Sequence, residues 1–255
     1  MGELVLVTGS GGSVGRSVAA ALRAAGHRVR GFDRAPAAGD APVDEPVVGQ
    51  LEDAAAVRAA VDGCRVVVHL AAYPNPAPFV ETLLGPNVLG LHHVLDAVVQ
   101  CSVPRVVLAS TMQVVTGHRD LGRPVSIADG PAPRNHYALT KQWAEDYGAM
   151  LAREHGVEVV AARLGWFVRN PQELRRMLGS EGAQRSYLSH ADTQRFFTHA
   201  VAWPLRQKFN LVNLVSHNAG RANVTMHEAR DLLGFEPRDS FPEGVPQEWL
   251  AAAQA

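Results

Sequence analysis

Cysteine is scarce in this chain, and neither sign of charge is in excess. The two cysteines among 255 residues, Cys64 and Cys101, cannot build a disulfide framework, and their spacing fits no Cys-x-x-Cys site. This usage is typical of a reducing compartment and predicts a cytoplasmic protein. The 24 basic residues balance 25 acidic residues to a net charge of −1, which excludes a general attraction to nucleic acid or to an anionic membrane.

Long apolar runs and metal-binding motifs are also missing. No run approaches the roughly 20 apolar residues that cross a bilayer, and the first residues lack the pattern of an export signal, so we expect no membrane partner. No His-Glu-x-x-His motif occurs among the 11 histidines, and His92 and His93 point to different sides of a helix, so we predict no metal site. The 47% of hydrophobic residues is enough for a packed core.

Short apolar runs alternate with helical patterns along the first two thirds of the chain. Alternating elements of this length imply right-handed β-α-β crossovers, and hence a parallel sheet covered on both faces. The predicted fold is therefore α/β, a Rossmann-type doubly wound parallel sheet. The predicted strands are 3–8, 27–32, 46–49, 64–70, 105–110 and 157–164. The predicted helices are 12–25, 53–62, 79–100 and 137–155.

Beyond residue 165 the alternation loosens into segments that contain proline and arginine. We predict one strand over 209–215 and a short helix over 226–233. Ligands bind such sheets at the carboxyl ends of the strands, so we expect this tail to form a small C-terminal cap there that selects the substrate. The predicted domains are residues 1–164, a dinucleotide-binding Rossmann domain, and residues 165–255, a substrate-binding region interleaved with it.

Three glycines at intervals of three follow the first predicted strand. Gly9 permits a tight turn, Gly12 lets the backbone approach a pyrophosphate, and Gly15 lets the helix pack close to the strand. The free N–H groups and the positive dipole end of that helix attract phosphate. A glycine-rich turn without a ligand is the alternative, but Asp33 ends the next strand, where its carboxylate can accept the ribose hydroxyls of an adenosine.

The acidic residue also bears on which dinucleotide binds. Asp33 repels a ribose 2′-phosphate, so NAD is favoured over NADP, although the neighbouring Arg34 is suited to such a phosphate. Gln50 and Leu51, after the third strand, are candidates to meet the adenine edge, and an exposed loop glutamine is the alternative interpretation.

A tyrosine and a lysine stand four residues apart at the start of the last predicted helix. This spacing places Tyr137 and Lys141 on one face, where the ammonium is expected to lower the pKa of the phenol from about 10 so that it can exchange a proton with a substrate hydroxyl. Such a pair is common on solvated helices. Here, however, the preceding strand ends in Ser110 and Thr111, whose hydroxyls are expected at the same carboxyl edge of the sheet.

These motifs together resemble the extended short-chain dehydrogenase/reductase superfamily, also called the NAD-dependent epimerase/dehydratase family. The resemblance spans residues 3–235 and includes Thr-Gly-x-x-Gly-x-x-Gly at 8–15 and His-Leu-Ala-Ala at 69–72. It implies that Thr111, Tyr137 and Lys141 are catalytic. The cofactor contacts that the motifs and the resemblance imply are Gly9, Gly11, Gly12, Ser13, Val14, Gly15, Asp33, Arg34, Gln50, Leu51, Leu70, Ala71, Ala72, Asn87, Tyr137 and Lys141.

Within the superfamily, segments such as 62–64, 175–178 and 189–192 look like those of uronate dehydrogenases. That resemblance implies NAD-dependent oxidation of the anomeric carbon of a hexuronic acid to a lactone, with Arg176 holding the substrate carboxylate in a charge-assisted fork. About 90 residues follow Leu164, fewer than in relatives that hold nucleotide-linked sugars, which implies a small substrate. Arg163, Arg169 and Arg175 are alternative partners for the anion, but for Arg163 we favour a structural role that closes a hydrogen-bond network.

Several positions depart from the uronate dehydrogenase pattern. Met112 and Gln113 replace an Asn-His pair, and Trp166 and Pro74 each replace a serine. Sugar hydroxyls left unpaired in such a pocket cost more than about 1 kcal/mol each, so we expect a substrate less polar than a fully hydroxylated sugar acid. The predicted substrate contacts are Pro74, Ser110, Met112, Gln113, Trp166 and Arg176.

Two other functions use the same residues. One is a sugar epimerase or dehydratase in which oxidation is transient, and the other is a sensor that binds NAD(H) without catalysis. The predicted helices at 79–100 and 137–155 carry apolar side chains on more than one face, for example Trp143, Tyr147 and Met150. This pattern predicts a homodimer or a larger homo-oligomer, with packing against the sheet as the rival explanation.

Overall fold

The computed structural model describes residues 2–36, 42–118 and 121–254. Its strands are β1 (Leu4–Thr8), β2 (Arg28–Asp33), β3 (Glu45–Val48), β4 (Val66–His69), β5 (Arg105–Thr111), β6 (Glu158–Leu164), β7 (Trp166–Phe167), β8 (Tyr187–Leu188) and β9 (Phe209–Leu214). Its α-helices are α1 (Ser13–Ala24), α2 (Ala54–Val61), α3 (Gly90–Gln100), α4 (His136–His155), α5 (Pro171–Leu178), α6 (Glu181–Gln184), α7 (His190–Ala202), α8 (His227–Leu233) and α9 (Gln247–Gln254).

Seven strands form one parallel sheet in the order β3-β2-β1-β4-β5-β6-β9. The chain winds outward from β1 in one direction and then from β4 in the other, so a crevice opens where the order reverses. Side chains of β1 alternate between the two faces: Leu6 packs under α2, α3 and α4, whereas Val5 and Val7 pack under α1 and α7. The predicted doubly wound α/β fold is confirmed.

The segment predicted as one helix over 79–100 has two different windings. Phe79–Leu89 is a π-helix and only Gly90–Gln100 is α-helical. Pro86 lies inside the π-helix, and the N–H groups of Leu83 and Gly90 bond the carbonyls of Pro78 and Gly85, five residues back. Proline has no N–H and its ring clashes with the carbonyl four residues before it, so an α-helix cannot continue through this position. The apolar periodicity alone did not reveal this change.

The chain after residue 165 contributes to both the sheet and a small layer above it. Strand β9 extends the sheet at β6, and α7 packs against α1. Between them, β7 and β8 form a two-stranded parallel ladder beside α5, with a core of its own around Leu174, Met177 and Tyr187. Helices α5, α6, α7 and α9 have no counterpart among the predicted elements.

Candidate active site

The glycine-rich turn between β1 and α1 is closely packed. Gly9 has φ +71°, and a Cβ there would lie 2.9 Å from the Cα of Ala71. A Cβ on Gly15 would lie only 2.0 Å from the carbonyl oxygen of Gly9. Gly12 caps α1 without a side-chain hydrogen bond, and no acidic residue occupies the first turn. The turn therefore has no side chain where a diphosphate must approach its backbone, and it leads into the N-terminus of α1, the end of a helix that attracts phosphate. We call this turn the glycine cradle.

The carboxylate of Asp33 lies beside the same turn. Its Oδ2 accepts a hydrogen bond from the backbone N–H of Gly11 at 2.9 Å, and a Cβ on Gly11 would approach it to 3.1 Å. Arg34 is exposed next to it. This arrangement places the negative charge at the end of β2, where the ribose of a dinucleotide bound to the cradle lies. The residues present fit NAD.

The other predicted contacts on the adenine side differ from one another. The side chain of Gln50 is exposed, but that of Leu51 is 8% exposed and belongs to the hydrophobic core beneath α3. The carbonyl of Leu51 is hydrogen-bonded to His93 Nδ1 at 2.8 Å. The arrangement therefore argues against a contact between the Leu51 side chain and the cofactor, because this side chain fills the core.

The end of β4 is joined to β1 by a buried polar pair. His69 Nδ1 is 2.8 Å from the hydroxyl of Thr8, which also accepts hydrogen bonds from the backbone N–H groups of Leu70 and Ala71 at 3.2 Å each. Burial, with a smaller contribution from the charge of Lys141, lowers the pKa of His69 to about 3. His69 is therefore neutral at physiological pH and holds the Leu70–Ala72 turn over the glycine cradle. In the sequence, His69 stands out only as part of the motif at 69–72, because nothing local shows that its ring is buried against Thr8.

The low pKa of His69 predicts that the folded protein loses stability in acid. Between pH 6.5 and about 3 the unfolded chain protonates His69 while the folded protein does not, so the free energy of unfolding falls as the pH falls, by up to about 1.4 kcal/mol per pH unit. We expect His69→Asn to flatten this slope in urea titrations at pH 4 to 6, whatever its effect at pH 7. His155→Asn, at the exposed end of α4, should leave the slope unchanged. An identical slope in the His69 variant would contradict the assignment.

Asn87, a predicted cofactor contact, ties the turn after β4 to α4. Its side-chain amide exchanges two hydrogen bonds with the backbone of Tyr73, at 2.7 and 3.1 Å, and donates a third to the hydroxyl of Thr140 at 3.2 Å. Thr140 in turn donates to the carbonyl of Tyr137 at 2.8 Å. In the structure Asn87 thus positions backbone around the site, because its polar atoms are already paired with protein groups.

Tyr137, Lys141 and Thr111 come together where β5 meets the first turns of α4. All three are buried, with exposed fractions of 6%, 7% and 9%. Lys141 Nζ donates to the carbonyl of Ala109 at 2.9 Å, which directs the ammonium along the end of β5. Asn135 caps α4 through Ala138 N–H at 2.8 Å and also donates to Gln113 Oε1 at 2.9 Å, so the helix start is anchored to the segment after β5.

The pKa of Tyr137 moves in the direction opposite to the prediction. Burial raises it, while a hydrogen bond with Thr111 and the charge of Arg169 partly oppose the rise. Lys141 is not among the causes, and burial lowers the pKa of this lysine to about 8. The predicted lowering of the tyrosine pKa by Lys141 is wrong for this arrangement, since the ammonium is engaged with Ala109. The phenol is held in its protonated form, in contact with the Thr111 hydroxyl.

Ser110 lies next to Thr111 but takes part in a different network. Its hydroxyl donates to Glu145 Oε1 at 2.5 Å, and Glu145 accepts two further bonds from Arg163 at 2.8 and 2.7 Å. The Glu145 and Arg163 side chains are 5% and 1% exposed. This pairing confirms the interpretation of Arg163 as a structural residue. It argues against a substrate contact from the Ser110 hydroxyl, since that hydroxyl is committed to the carboxylate.

A cavity of about 1160 Å³ opens at the carboxyl ends of β5 and β6. Met112 and Trp166 contribute the apolar surface that we predicted. The wall also carries six arginines, however, so only part of the cavity matches the predicted pocket of low polarity. Arg175 is not part of this wall, and its guanidinium donates a hydrogen bond to the carbonyl of Ala252. The predicted site residues that line this cavity are Val14, Leu70, Ala72, Pro74, Ser110, Thr111, Met112, Gln113, Tyr137, Lys141, Trp166 and Arg176.

Two arginines from one segment face the cavity near Tyr137. Arg169 is paired with Glu173, which accepts from its backbone N–H at 2.9 Å and its Nε at 2.8 Å. Arg176, one turn further along α5, is exposed and lies within salt-bridge distance of no carboxylate among the described residues. Arg176 is thus a cation that is available to a ligand on this side of the cavity.

The described residues, 2–36, 42–118 and 121–254, contain no group of three or more histidine, cysteine, aspartate or glutamate side chains placed to hold a metal ion. They also contain no helix that combines the length and the apolar character needed to cross a bilayer.

Comparisons with known proteins agree with this geometry. The chain is 30% identical to the L-arabinose 1-dehydrogenase (NAD(P)(+)) of Haloferax volcanii over 92% of its own length and 96% of that protein. It is 28% identical to the NAD-dependent glucose-6-phosphate dehydrogenase of the same organism, over 95% and 96%. A solved structure of a mutated uronate dehydrogenase superposes with a TM-score of 0.82 at 26% identity, covering 100% of this chain and 86% of that one.

A family model completes the comparison. The model for the NAD dependent epimerase/dehydratase family matches residues 5–168, which include the glycine cradle, β5 and the start of α4. The predicted resemblance to extended short-chain dehydrogenases, and to uronate dehydrogenases among them, is confirmed. NAD is confirmed as the cofactor of the family, and the cradle with Asp33 fits it. The chain therefore belongs to the NAD dependent epimerase/dehydratase family.

Proposed function

We propose that the protein is an NAD-dependent dehydrogenase that oxidises the anomeric carbinol of a sugar or sugar acid. The observation that carries this proposal is the contact of the Tyr137 phenol with Thr111 at the inner end of the cavity, one helical turn from the Lys141 ammonium. A phenol and a hydroxyl that face one cavity together suit a single reacting oxygen. The similar proteins named above are dehydrogenases whose names cite a pentose, a sugar phosphate and a uronate.

Residues at the ends of β1, β2 and β4 would form the NAD-binding side of the cavity. The backbone of residues 9–15 and the carboxylate of Asp33 would hold NAD, which when bound supplies a hydride acceptor. The turn Leu70–Ala72, held by His69, would complete the cofactor side of the cavity. Asp33 favours a free ribose hydroxyl over a 2′-phosphate, so NAD is the better cofactor.

Proton transfer falls to the group around Tyr137. Thr111 would orient the substrate hydroxyl by a hydrogen bond. In oxidation Tyr137 would act as the phenolate, after its own proton has left to solvent, and would accept the hydroxyl proton as the carbon is oxidised; in the reverse direction the phenol would return that proton. Lys141 is mostly protonated below its pKa of about 8, so at neutral pH it supplies a positive charge one helical turn from Tyr137. We infer that Lys141 also contacts the cofactor ribose. Arg176 would hold a substrate carboxylate, with residues 165–255 supplying the substrate-binding region.

The test is formation of NADH by the purified protein. Glucuronate, galacturonate, arabinose, glucose 6-phosphate and an apolar secondary alcohol would each be supplied with NAD and, separately, with NADP. We expect NADH from at least one sugar and a lower rate with NADP. Interconversion of sugar isomers by protein that retains NAD through purification would instead support an epimerase. The absence of both activities across the panel would overturn the proposal.

We also propose that the chain forms a homodimer. Val80, Leu84 and Leu89 of the π-helix and Leu139 of α4 are exposed on adjacent elements, with 67%, 37%, 43% and 50% of their surface accessible. The tyrosine and tryptophan that suggested an interface, Tyr147 and Trp143, pack partly against the core instead. Sedimentation should give a dimer that Leu139→Asp converts to a monomer; a monomeric wild-type protein would contradict this.

A reducing compartment such as the cytoplasm remains our proposal for the protein's location. Cys64 is buried and Cys101 partly buried, and both are free thiols. Burial raises the pKa of Cys64 to about 11, so it is an unreactive thiol. Fluorescence of a tagged copy in its source cells would test the location.

A further inference from the structure

Arginine is concentrated in the wall of the cavity. One of the six lies before Tyr137, two lie on the segment around α5, and three lie at the outer rim. Glu173 is the one carboxylate among the lining residues, all of which belong to the described part of the chain. The six arginines are Arg123, Arg134, Arg169, Arg176, Arg185 and Arg221.

The three rim arginines come from distant parts of the chain that are joined through their backbones. Val125, two residues after Arg123, accepts from Thr225 N–H at 2.9 Å and donates to the carbonyl of Asn223 at 3.0 Å. Asn223, two residues after Arg221, has its N–H 3.4 Å from the carbonyl of Arg185. The loops that carry the three guanidinium groups therefore form one unit, which we call the rim triad (Arg123, Arg185 and Arg221).

The rim triad has more positive charge than its own partners neutralise. Arg123 is paired with Asp129 at 2.6 Å and Arg185 with Glu181 at 2.6 Å. The pKa of Glu181 is lowered mainly by its hydrogen bond from Arg185 and also by the charge of Arg221, which places Arg221 near that pair. The backbone N–H of Arg221 donates to the carbonyl of Asn218, but its guanidinium has no hydrogen-bond or salt-bridge partner among the described residues and remains available to a ligand.

The cofactor does not account for these arginines. Arg221 follows β9, whereas the phosphate cradle follows β1, and β4, β5 and β6 lie between them in the sheet. Neighbouring strands are about 4.8 Å apart, so the carboxyl ends of β1 and β9 are separated by roughly 19 Å. The rim triad and the cradle therefore face different ends of the ligands, and the cavity between them holds Tyr137.

We propose that the rim triad binds a phosphoryl group carried by the substrate, at the end remote from the carbon that is oxidised. This inference rests on the proposed function and names the substrate class for that site: a sugar phosphate. A single carboxylate is satisfied by one bidentate arginine, and Arg176 is available for that role. A phosphoryl group carries close to two charges and three acceptor oxygens, which suit a cavity wall that carries several guanidinium groups.

The test compares ligands that differ by the phosphoryl group alone. Calorimetric binding of glucose 6-phosphate and of glucose to the full chain measures the site without turnover. We expect glucose 6-phosphate to bind at least tenfold more tightly, and Arg221→Ala and Arg185→Ala each to weaken it about tenfold while changing glucose less than twofold. Arg153→Ala, which removes an arginine paired with Glu154 on the outside of α4, is the matched control and should change neither.

The outcomes separate this proposal from the dehydrogenase proposal. Equal binding of the two sugars, or a preference that survives Arg221→Ala, would overturn the rim site even if NADH forms from another sugar. The expected binding pattern without NADH formation would support the rim site and overturn the dehydrogenase. Still tighter binding of UDP-glucose, also lost in Arg221→Ala, would support the phosphoryl site and assign the group to a nucleotide-linked sugar.

Discussion

A Tyr137→Phe variant is expected to lose about 10³-fold in kcat with the best substrate of the panel. The change removes one oxygen from a buried side chain and leaves its packing in place. Without the phenol, no titratable group among the described residues that contacts Thr111 can take the proton from the substrate hydroxyl. Steady-state kinetics with NAD would measure the loss, and fluorescence titration with NADH should give an affinity within about threefold of the wild type.

Tyr147→Phe is the matched control for that experiment. Tyr147 lies on the same helix and its hydroxyl is hydrogen-bonded to His92 at 3.0 Å, outside the cavity. It should retain kcat within about twofold. A Tyr137→Phe enzyme that kept a tenth or more of the wild-type kcat would show that another group moves the proton. A Tyr137→Phe variant that left every cellular effect of the protein intact would instead support a sensor without catalysis.

Replacing Arg163 by methionine is expected to lower the free energy of unfolding by about 3–5 kcal/mol. Arg163 is 1% exposed and is the bidentate partner of Glu145, so its removal leaves a carboxylate buried without its counter-charge. The same change should lower activity, because Glu145 lies on α4 with Tyr137 and bonds Ser110 on β5, next to Thr111. Urea denaturation at constant pH measures the stability.

A double variant tests the physical reason. Glu145→Leu combined with Arg163→Met removes both charges, so it should recover most of the stability that the single change loses, since an apolar pair costs no desolvation of charge. An additive loss in the double variant would instead mean that shape, and not the unpaired charge, explains the effect. NADH formation by the double variant would show whether the network also positions the catalytic residues.

The strands and the phosphate cradle were predictable because their signals are local. Each buried strand is a short apolar run between turns, and Gly9 and Gly15 stand where a side chain would clash with neighbouring backbone. The pair Tyr137 and Lys141 was found by its helical spacing. The spacing did not predict the direction of the pKa shift of Tyr137, because that direction depends on the surroundings of the group. Here burial outweighs the nearby charges.

Other features depended on contacts between distant residues. The change of winding at Pro86, the pairing of Ser110 with Glu145, and the core position of Leu51 all follow from packing that a local pattern does not contain. The cap at Asn135 is different, because asparagine directly before a helical pattern is a common cap and is a local signal in the sequence.

The sequence by itself determined the doubly wound sheet, the dinucleotide cradle and the family, because periodicity and glycine spacing are properties of neighbouring residues. Only the tertiary structure decided which polar groups remain free for a ligand. Arg163 and Arg176 look alike along the chain, yet one is buried against Glu145 and the other faces the cavity without a partner among the described residues. Whether a charged side chain is free to bind a ligand or is paired within the protein depends on its neighbours in space, and those neighbours come from residues far apart in the sequence.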